Sequence, residues 1–581
     1  MEFAIVAVLG ILAIVAVNAL APRVGVAAPL VLMLLGVAIS LLPFVPLVEV
    51  EPEWILMGVL PPLLYSASVS MPAMDFRRDF RAISGLSVLL VVITAVLLGW
   101  LFSVLIPDIN LATGIALGAI VSPTDAVATS IVKRLGAPTR VVTILEGESL
   151  LNDASALVLL RSAIAATATA VSLWGVVGDF LFAVVVAVAI GGVVGILNLR
   201  ARKAIRQATL NTAISFVVPF VAYVPAEELG ASGLVAAVTA GLVTGWGSTR
   251  YLRPQDRLAQ TENWRTIELV LEGAVFLVMG LEVVDIVTDV TESHGSVALA
   301  VGIAALTILG LVVIRAAFLA PLLRSLGRRA DRAATVRAAM ADNQQRWEDA
   351  AAADPERVRK VAERFGQDAY ERRRARFTLA FTRRIADVDY LASARLGWRE
   401  GGLLVWAGMR GVVTLAAAQT LPRDTPARSL LVLVAFLVAG GSLLVQGGTL
   451  PWLVRRLGLT STDTTESDDE RQRLQVALAD AATGALDRLT TDDGGTYDAG
   501  VVAQVRLEST FGIGEETEEE SAGPTSRFAQ YRSLRVKVIE AQRAELLHLR
   551  AVGTYDSTAL TRALEVLDAD QIRLELDGEP A

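Results

Sequence analysis

The chain has 581 residues, of which 54% are apolar and 19% are charged, and its mean hydropathy is +0.54. A soluble domain carries about 25% charged residues, so this composition argues against a soluble enzyme and a disordered regulator, and the net charge of −8 argues against a nucleic-acid binder. The absence of cysteine and the wide separation of the two histidines, His294 and His548, exclude thiol chemistry, Cys-ligated metals and a Ser–His–Asp array.

Thirteen apolar stretches are each long enough, at roughly 18 residues or more, to cross about 30 Å of hydrocarbon as a helix. We therefore predict an all-α polytopic membrane protein with about thirteen transmembrane helices. The first stretch has no basic segment before it and no cleavage signal after it, so we expect a true span and not a signal peptide. The predicted spans cover residues 3–20, 24–46, 54–71, 83–106, 110–133, 141–168, 173–198, 208–225, 230–247, 265–285, 295–322, 402–421 and 428–454.

The charges between the spans predict the orientation of the chain. Basic residues gather in the loops after the first, third, fifth, seventh and ninth spans, whereas acidic residues dominate most alternate loops. Arg423 and Arg428, after the twelfth span, are the exception. Because basic loops stay in the cytoplasm, we expect a multi-pass protein of the cell (plasma) membrane, with its N-terminus outside and its C-terminus in the cytoplasm.

Two polar segments lie outside the spans. Residues 1–457 are predicted to form the transmembrane domain, interrupted at about 323–400 by an Arg-, Ala- and Glu-rich helical insertion. Residues 458–581 are predicted to form an acidic, helical cytoplasmic domain. Both segments could be solvated helical appendages, or they could regulate the protein in response to pH or contribute to a dimer.

The fifth span contains the polar sequence SPTDAVATS, with Ser122, Pro123, Thr124 and Asp125. Proline removes a backbone donor and disfavours helix in the residue before it, so we expect an unwound segment here. Broken helices at bilayer depth line a cavity or are buried in protein, and their free backbone groups can coordinate ions. A simple proline kink capped by Asp125 is compatible with the same residues.

The sixth span contains LEGESLLNDASALVLL, in which Glu148, Ser149, Asn152 and Asp153 lie within the apolar stretch. A spacing of four residues stacks Ser149 beneath Asp153, with Glu148 and Asn152 on the neighbouring strip of the helix. Ionisable residues inside spans are functional candidates by default. Several hard oxygens on one helix face indicate a site for a dehydrated alkali cation.

A positive charge in the twelfth span could balance part of this acidity. Arg410 lies in GMRGVV between two glycines, and an intramembrane arginine needs a carboxylate, so we expect it to form a structural ion pair with Glu148. Arg161 and Arg315 are expected to snorkel or pair near span ends. Glu272 also needs a partner, which the sequence does not identify.

The motifs SPTDAVA, GESLLND and GMRGVV together resemble those of the monovalent cation:proton antiporters that include the bacterial NhaP and animal NHE exchangers, over about residues 1–457. The resemblance implies two inverted repeats, unwound crossing segments in the fifth and twelfth spans, and a homodimer. It implies no cofactor, because the ligands are the transported ions Na⁺ and H⁺.

The same resemblance implies a role for each site residue. Asp153 would be the carboxylate that binds cation and proton, and the cation shell would be completed by Asp125, Ser149, Glu148 and the main-chain carbonyl of Thr124. Structural support of the site would come from Asn152, Arg410 and Pro123.

The residues themselves suggest how such a site would work. A carboxylate can bind a proton or a cation but not both, so competition at Asp153 would couple the two fluxes. Because the preceding Asn152 cannot ionise, we expect electroneutral exchange of cytoplasmic Na⁺ (or Li⁺) for external H⁺. K⁺/H⁺ exchange is the alternative; an intramembrane aspartyl protease, built on Asp125 and Asp153, and a transport-dead sensor are remote alternatives.

Overall fold

The computed structural model describes residues 2–24, 26–42, 51–168, 173–293, 295–353, 366–393, 395–460, 464–488, 497–511 and 524–576. Within these ranges the chain is helical and contains no β-strand. The prediction of an all-α polytopic membrane protein is confirmed.

The chain divides into two compact units. The membrane unit combines Met1–Leu326 with Leu396–Ser461, and the insertion–tail unit combines Gly327–Arg395 with Thr462–Ala581. The insertion between the eleventh and twelfth predicted spans therefore groups with the C-terminal tail. Each unit is assembled from two separate stretches of sequence.

Each of the thirteen predicted spans coincides at least in part with a described helix, and residues 25 and 43–46 of the second span lie outside the described residues. Two of them, the fifth and the twelfth, consist of two half-helices with an interruption between them. The helices of these spans and their connections are α1 (Glu2–Val24), α2 (Ala28–Ser40), α3 (Trp54–Ser70), α4 (Ala73–Leu105), α5 (Leu111–Val121), α6 (Val127–Arg134), α7 (Thr139–Ala168), α8 (Leu173–Ala204), α9 (Ala208–Glu228), α10 (Gly233–Tyr251), α11 (Pro254–Leu281), α12 (Val283–Glu292), α13 (Val297–Ala353), α14 (Gln367–Ser393), α15 (Trp398–Trp406), α16 (Val412–Gln419) and α17 (Arg428–Leu457).

Within the described ranges, six helical stretches are long and apolar enough to cross a membrane without a break. These are the major parts of α4, α7, α8, α9, α13 and α17, and α1, α2, α3 and α5 are shorter apolar helices. The length of an uninterrupted apolar helix thus identifies only part of the membrane unit. The rest consists of helices that are short, broken or lined with polar side chains.

Close contact between α4 and α5 fixes the helix that leads into the fifth-span interruption. A Cβ atom on Gly114 would lie 2.3 Å from the carbonyl oxygen of Gly99, and one on Gly118 would lie 2.4 Å from that of Ala95. Small residues at such positions let the two backbones touch, which is how helices associate where lipid provides no hydrophobic driving force. Asn110 caps the start of α5 by accepting a hydrogen bond from the Thr113 N–H at 2.8 Å.

The insertion–tail unit has apolar cores of its own. Its tail helices are α18 (Thr464–Leu486), α19 (Ala499–Phe511), α20 (Pro524–Val552) and α21 (Ser557–Leu576). One core joins α18, α20 and α21 through residues such as Leu474, Leu546 and Leu560, and another joins α18, α19 and α20 through residues such as Val505.

Candidate functional site: two broken helices and a pair of carboxylates

The fifth span is interrupted between Val121, where α5 ends, and Val127, where α6 begins. Pro123 lies in the interruption and donates no backbone hydrogen bond. The break frees the carbonyl oxygens at the end of α5 for other partners. The Arg410 guanidinium takes two of them, since its Nε donates to the Val121 oxygen at 2.9 Å and its Nη2 to the Ser122 oxygen at 3.3 Å. A cation is favourable at this end of a helix because the macrodipole is negative there.

The twelfth span is interrupted in the same way between Trp406 and Val412. In this second break the Arg410 N–H donates to Ser442 Oγ of α17 at 2.9 Å. The two interruptions touch directly, because the Asp125 N–H donates to the Met409 carbonyl oxygen at 2.8 Å. Unwound segments in the fifth and twelfth spans are thus present, as the family resemblance implied.

The two glycines around Arg410 are required by close packing. A Cβ atom on Gly411 would lie 1.2 Å from Asp125 Oδ2, so the Asp125 carboxylate packs directly against the backbone of Gly411. A Cβ atom on Gly408 would lie 2.8 Å from Arg315 Cδ. The other oxygen of Asp125, Oδ1, accepts a hydrogen bond from the Val127 N–H at 2.8 Å, at the start of α6.

Glu148 is paired with Arg315 and not with Arg410, so our predicted Glu148–Arg410 ion pair is wrong. Arg315 Nη2 donates to Glu148 Oε2 at 2.7 Å, Nη1 bonds to Oε1, and both side chains are almost fully buried. The Arg315 Nε also donates to the Leu404 carbonyl at 2.8 Å. Arg410 needs no carboxylate, because backbone oxygens of the broken helices, including that of Gly408, satisfy its guanidinium.

The expectation of an interfacial role for Arg315 is also wrong, because its side chain is 2% exposed. An arginine within the apolar sequence LVVIRAAFLAPLL could have been recognised by the rule that intramembrane charges find partners. Arg161 does pair near a span end, with Glu227 at 2.8 Å, and is largely exposed. Glu272 is close enough to Asp125 and Glu268 for their charges to repel it, and close enough to Arg134 to be attracted by that charge.

Asn152 connects α7 to the interruption in the fifth span. Its side-chain nitrogen Nδ2 donates to Thr124 Oγ1 at 2.7 Å and to the Thr124 carbonyl oxygen at 3.2 Å. Thr124 Oγ1 in turn donates to Glu148 Oε1 at 3.1 Å. Ser87 of α4, which we did not predict as a site residue, donates to the Glu148 carbonyl oxygen at 3.1 Å.

Asp153 and Ser149 lie on α7 beside these contacts, and only 6% and 7% of their surfaces are exposed. Neither side chain forms a hydrogen bond or ion pair with any residue that the structure describes. The Asp153 and Asp125 carboxylates are close enough to repel each other. The two neighbouring arginines bind other groups: Arg315 forms an ion pair with Glu148, and Arg410 donates hydrogen bonds to backbone carbonyls. The arrangement therefore combines the buried Asp153 carboxylate with the half-buried Asp125 carboxylate, and no described basic side chain neutralises either of them.

Known proteins with a similar sequence or fold are cation:proton exchangers. The chain is 27% identical, over 98% of its own length and 96% of theirs, to uncharacterised Na⁺/H⁺ exchangers of Mycobacterium tuberculosis and Mycobacterium bovis. It is 32% identical over 45% of its length to a sodium, potassium, lithium and rubidium/H⁺ antiporter of Bacillus subtilis, of which it covers 40%.

The fold resembles that of the sodium proton antiporter MjNhaP1 from Methanocaldococcus jannaschii. The TM-score is 0.53 at 15% sequence identity, and the match covers 79% of this chain and all of that one. The family described as "Sodium/hydrogen exchanger, transmembrane" matches residues 8–341, which is more than half of the chain. The protein is a member of this sodium/hydrogen exchanger family of transporters.

Proposed function

We propose that the protein is a secondary active antiporter that exchanges cytoplasmic Na⁺, or Li⁺, for external H⁺. The observation that carries this proposal is the pair Asp153 and Asp125, a buried and a half-buried carboxylate that repel each other while both nearby arginines are bonded to other groups. Leaving such a pair ionised is costly. A bound monovalent cation or a bound proton relieves the repulsion, and the two ligands compete for the same oxygens.

The proposed cation shell consists of the Asp153 and Asp125 carboxylates, the Ser149 hydroxyl and the Thr124 carbonyl oxygen. Glu148 has a different role in this proposal from the one its motif suggests. Because both of its carboxylate oxygens already accept hydrogen bonds from Arg315, we assign it to holding Thr124 in place through the hydrogen bond from Thr124 Oγ1.

Electroneutral exchange of one cation for one proton is part of the proposal. It is supported by the fact that Asn152, next to Asp153, is an amide and already donates to Thr124. We further propose alternating access by rocking of one helix bundle against another around the broken helices. The protein would act as a homodimer in the plasma membrane, with its N-terminus outside and its C-terminus in the cytoplasm.

Potassium is the second candidate substrate. The relative from Bacillus subtilis is named for sodium, potassium, lithium and rubidium, and oxygen ligands of this kind do not by themselves select Na⁺ over K⁺. Discrimination depends on cavity size and ligand geometry.

The test is cation-induced dissipation of a proton gradient in proteoliposomes, followed with a pH-sensitive dye. Na⁺ and Li⁺ should dissipate the gradient, and the response to K⁺ decides the second candidate. Asp153→Asn should abolish the response, whereas Asp179→Asn, at an exposed carboxylate of α8, should leave it unchanged. Exchange that persists in Asp153→Asn would refute the proposal. A rate that changes when K⁺ and valinomycin clamp the voltage would refute electroneutrality.

A further inference from the structure

The helix α14 of the insertion carries a concentrated positive charge. Residues 372–384 read RRRARFTLAFTRR, with six arginines and no acidic residue. The whole chain has a net charge of −8, so this cluster is a local feature of the insertion and does not follow from the overall composition. The proposed cation shell and the broken helices make no use of it.

One face of α14 lies against other helices of the insertion–tail unit. Thr378 and Thr382, four residues apart, line a cleft together with His548 of α20. Asp389, on the same strip of the helix, pairs with Arg337 of α13 at 3.3 Å. This side of α14 is therefore the one that faces the rest of its own unit.

The opposite side of α14 presents three arginines and an aromatic ring. Their spacing of i, i+3, i+4, i+7 and i+11 places five residues on one side of the helix, and we call them the basic face: Arg373, Arg376, Phe377, Ala380 and Arg384. All five are exposed, and Phe377 is 59% exposed. None of the three arginines forms an ion pair with a residue that the structure describes.

Arginines around an exposed aromatic ring match the chemistry of anionic lipid headgroups. The guanidinium group donates paired hydrogen bonds to phosphate and carboxylate groups. Clusters of roughly four to eight basic residues next to a membrane span are attracted to the negatively charged cytoplasmic leaflet. An aromatic ring such as that of Phe377 enters the boundary between headgroups and acyl chains. An acidic peptide would match the charges but gives no reason for the exposed ring.

The chain also keeps α14 within reach of a membrane surface. Four residues separate its end at Ser393 from the start of α15 at Trp398, which leads into the predicted twelfth span. A connection of this length extends at most roughly 18 Å. Trp398 is 74% exposed, as expected for a tryptophan that anchors a helix end at the level of the headgroups. Lipid headgroups are therefore a polyanion that is always near α14.

We propose that the basic face of α14 docks on the anionic phospholipid headgroups of the cytoplasmic leaflet. Arg373, Arg376 and Arg384 bind the phosphate and carboxylate groups, and Phe377 enters the headgroup layer. The partner is a negatively charged lipid surface and not one lipid species. This interaction is separate from the proposed ion exchange and takes from it only the cytoplasmic placement of the insertion.

The experiment uses the full chain in lipid nanodiscs, where both membrane surfaces are accessible. Because the chain has no cysteine, Ala380→Cys provides a single site on the basic face for an environment-sensitive dye. Spin-labelled lipid should quench this dye in nanodiscs of phosphatidylcholine with phosphatidylserine, and should not quench it in phosphatidylcholine alone. The quenching should disappear in 1 M salt, where the Debye length falls to about 3 Å. The same dye on Ala375→Cys, on the cleft side of α14, should remain unquenched in both lipids.

Substituting the arginines tests their contribution directly. Combining Arg373→Gln, Arg376→Gln and Arg384→Gln should weaken lipid binding by roughly a hundredfold, at about fivefold for each arginine near an anionic surface. The quenching should then fall to its level in phosphatidylcholine alone. The matched control removes the same number of positive charges from exposed sites on the tail and should leave the quenching unchanged: Arg488→Gln, Arg562→Gln and Arg573→Gln.

Absence of quenching with phosphatidylserine, or quenching that survives the loss of the three arginines, would overturn the inference. An equal effect of the control substitutions would also overturn it, because the binding would then depend on net charge alone. The competing occupant is the acidic run EETEEE at residues 515–520. A salt-sensitive dye shift without lipid quenching, abolished when these glutamates are replaced by glutamine, would assign the basic face to that run. A wild-type protein without Na⁺/H⁺ exchange would refute the proposed function and leave the lipid result as it is.

Discussion

Arg315 and Glu148, which are 167 residues apart in the sequence, form a bidentate ion pair in the interior of the membrane unit. The pair neutralises the carboxylate of the GESLLND motif that accepts a hydrogen bond from Thr124 in the broken fifth span. It also leaves Arg410 for the backbone carbonyls of Val121 and Ser122. Asp125 and Asp153 are thereby left without a basic partner among the described residues, which is the electrostatic condition for a cation site.

Removing one member of the buried pair should strongly destabilise the protein. Arg315→Met leaves Glu148 charged and unpaired, so we expect a loss of about 3–5 kcal/mol, measured as a lower unfolding temperature in detergent. Adding Glu148→Leu should restore most of the loss. Arg161→Met is the control, because its pair with Glu227 is largely exposed and worth about 0–1 kcal/mol. Equal effects of Arg315→Met and Arg161→Met would contradict this account.

Gly411→Ala should impair cation binding. The added methyl group would lie 1.2 Å from Asp125 Oδ2, so either the carboxylate or the interruption must move. We expect a rise of about tenfold or more in KM for Na⁺ in a transport assay. Gly302→Ala on α13 is the matched control, because its Cβ would meet no atom within 4 Å and alanine favours helix by about 0.5–1 kcal/mol. A wild-type KM in Gly411→Ala would show that Asp125 does not depend on this contact.

Competition between proton and cation predicts the pH dependence of transport. Protons occupy the Asp153–Asp125 pair as the cytoplasmic pH falls, so KM for Na⁺ should rise, by at most roughly tenfold per pH unit if one proton competes. Saturating Na⁺ should displace the proton and restore the rate. Initial rates measured over a grid of pH and Na⁺ concentration test this. A pH effect confined to kcat, with KM constant, would exclude a shared site.

The insertion–tail unit should lose stability at alkaline pH through Tyr531. The hydroxyl of Tyr531 donates a hydrogen bond to Glu508 Oε2 at 2.7 Å. Burial raises the pKa of Tyr531 to about 12, and the hydrogen bond to Glu508 and the negative charge of Glu508 contribute to the same shift. The folded pKa is above the unfolded value of about 10. The stabilisation is therefore present below pH 10 and is lost as the pH rises through 12. The tyrosinate absorbance of the wild type minus that of Tyr531→Phe reports Tyr531 alone, and this difference should titrate near pH 12. A titration near pH 10 would contradict the contact between Tyr531 and Glu508.

The sequence predicted the parts of this protein that depend on local chemistry. Apolar stretches of sequence indicated where the helices of the membrane unit lie, since a helix satisfies its own backbone hydrogen bonds in lipid, although only six of the described helices are long and apolar enough to cross without a break. Pro123 indicated the break in the fifth span, and a four-residue spacing placed Ser149 and Asp153 on one face of the sixth. The polar character of residues 323–400 separated the insertion from the spans, but gave no indication that it groups with the tail.

The tertiary structure decided which charged groups meet. The sequence led us to pair Glu148 with Arg410 and to expect Arg315 near a span end, whereas the structure pairs Glu148 with the buried Arg315. The correct partner depends on how α7, α13 and the broken helices pack, because an arginine within hydrogen-bond reach of free carbonyls needs no carboxylate. The contact of Gly411 with Asp125 likewise arises between segments far apart in the chain. Periodicity and composition describe a residue's own helix, and they contain no information about which atoms of another helix it will touch.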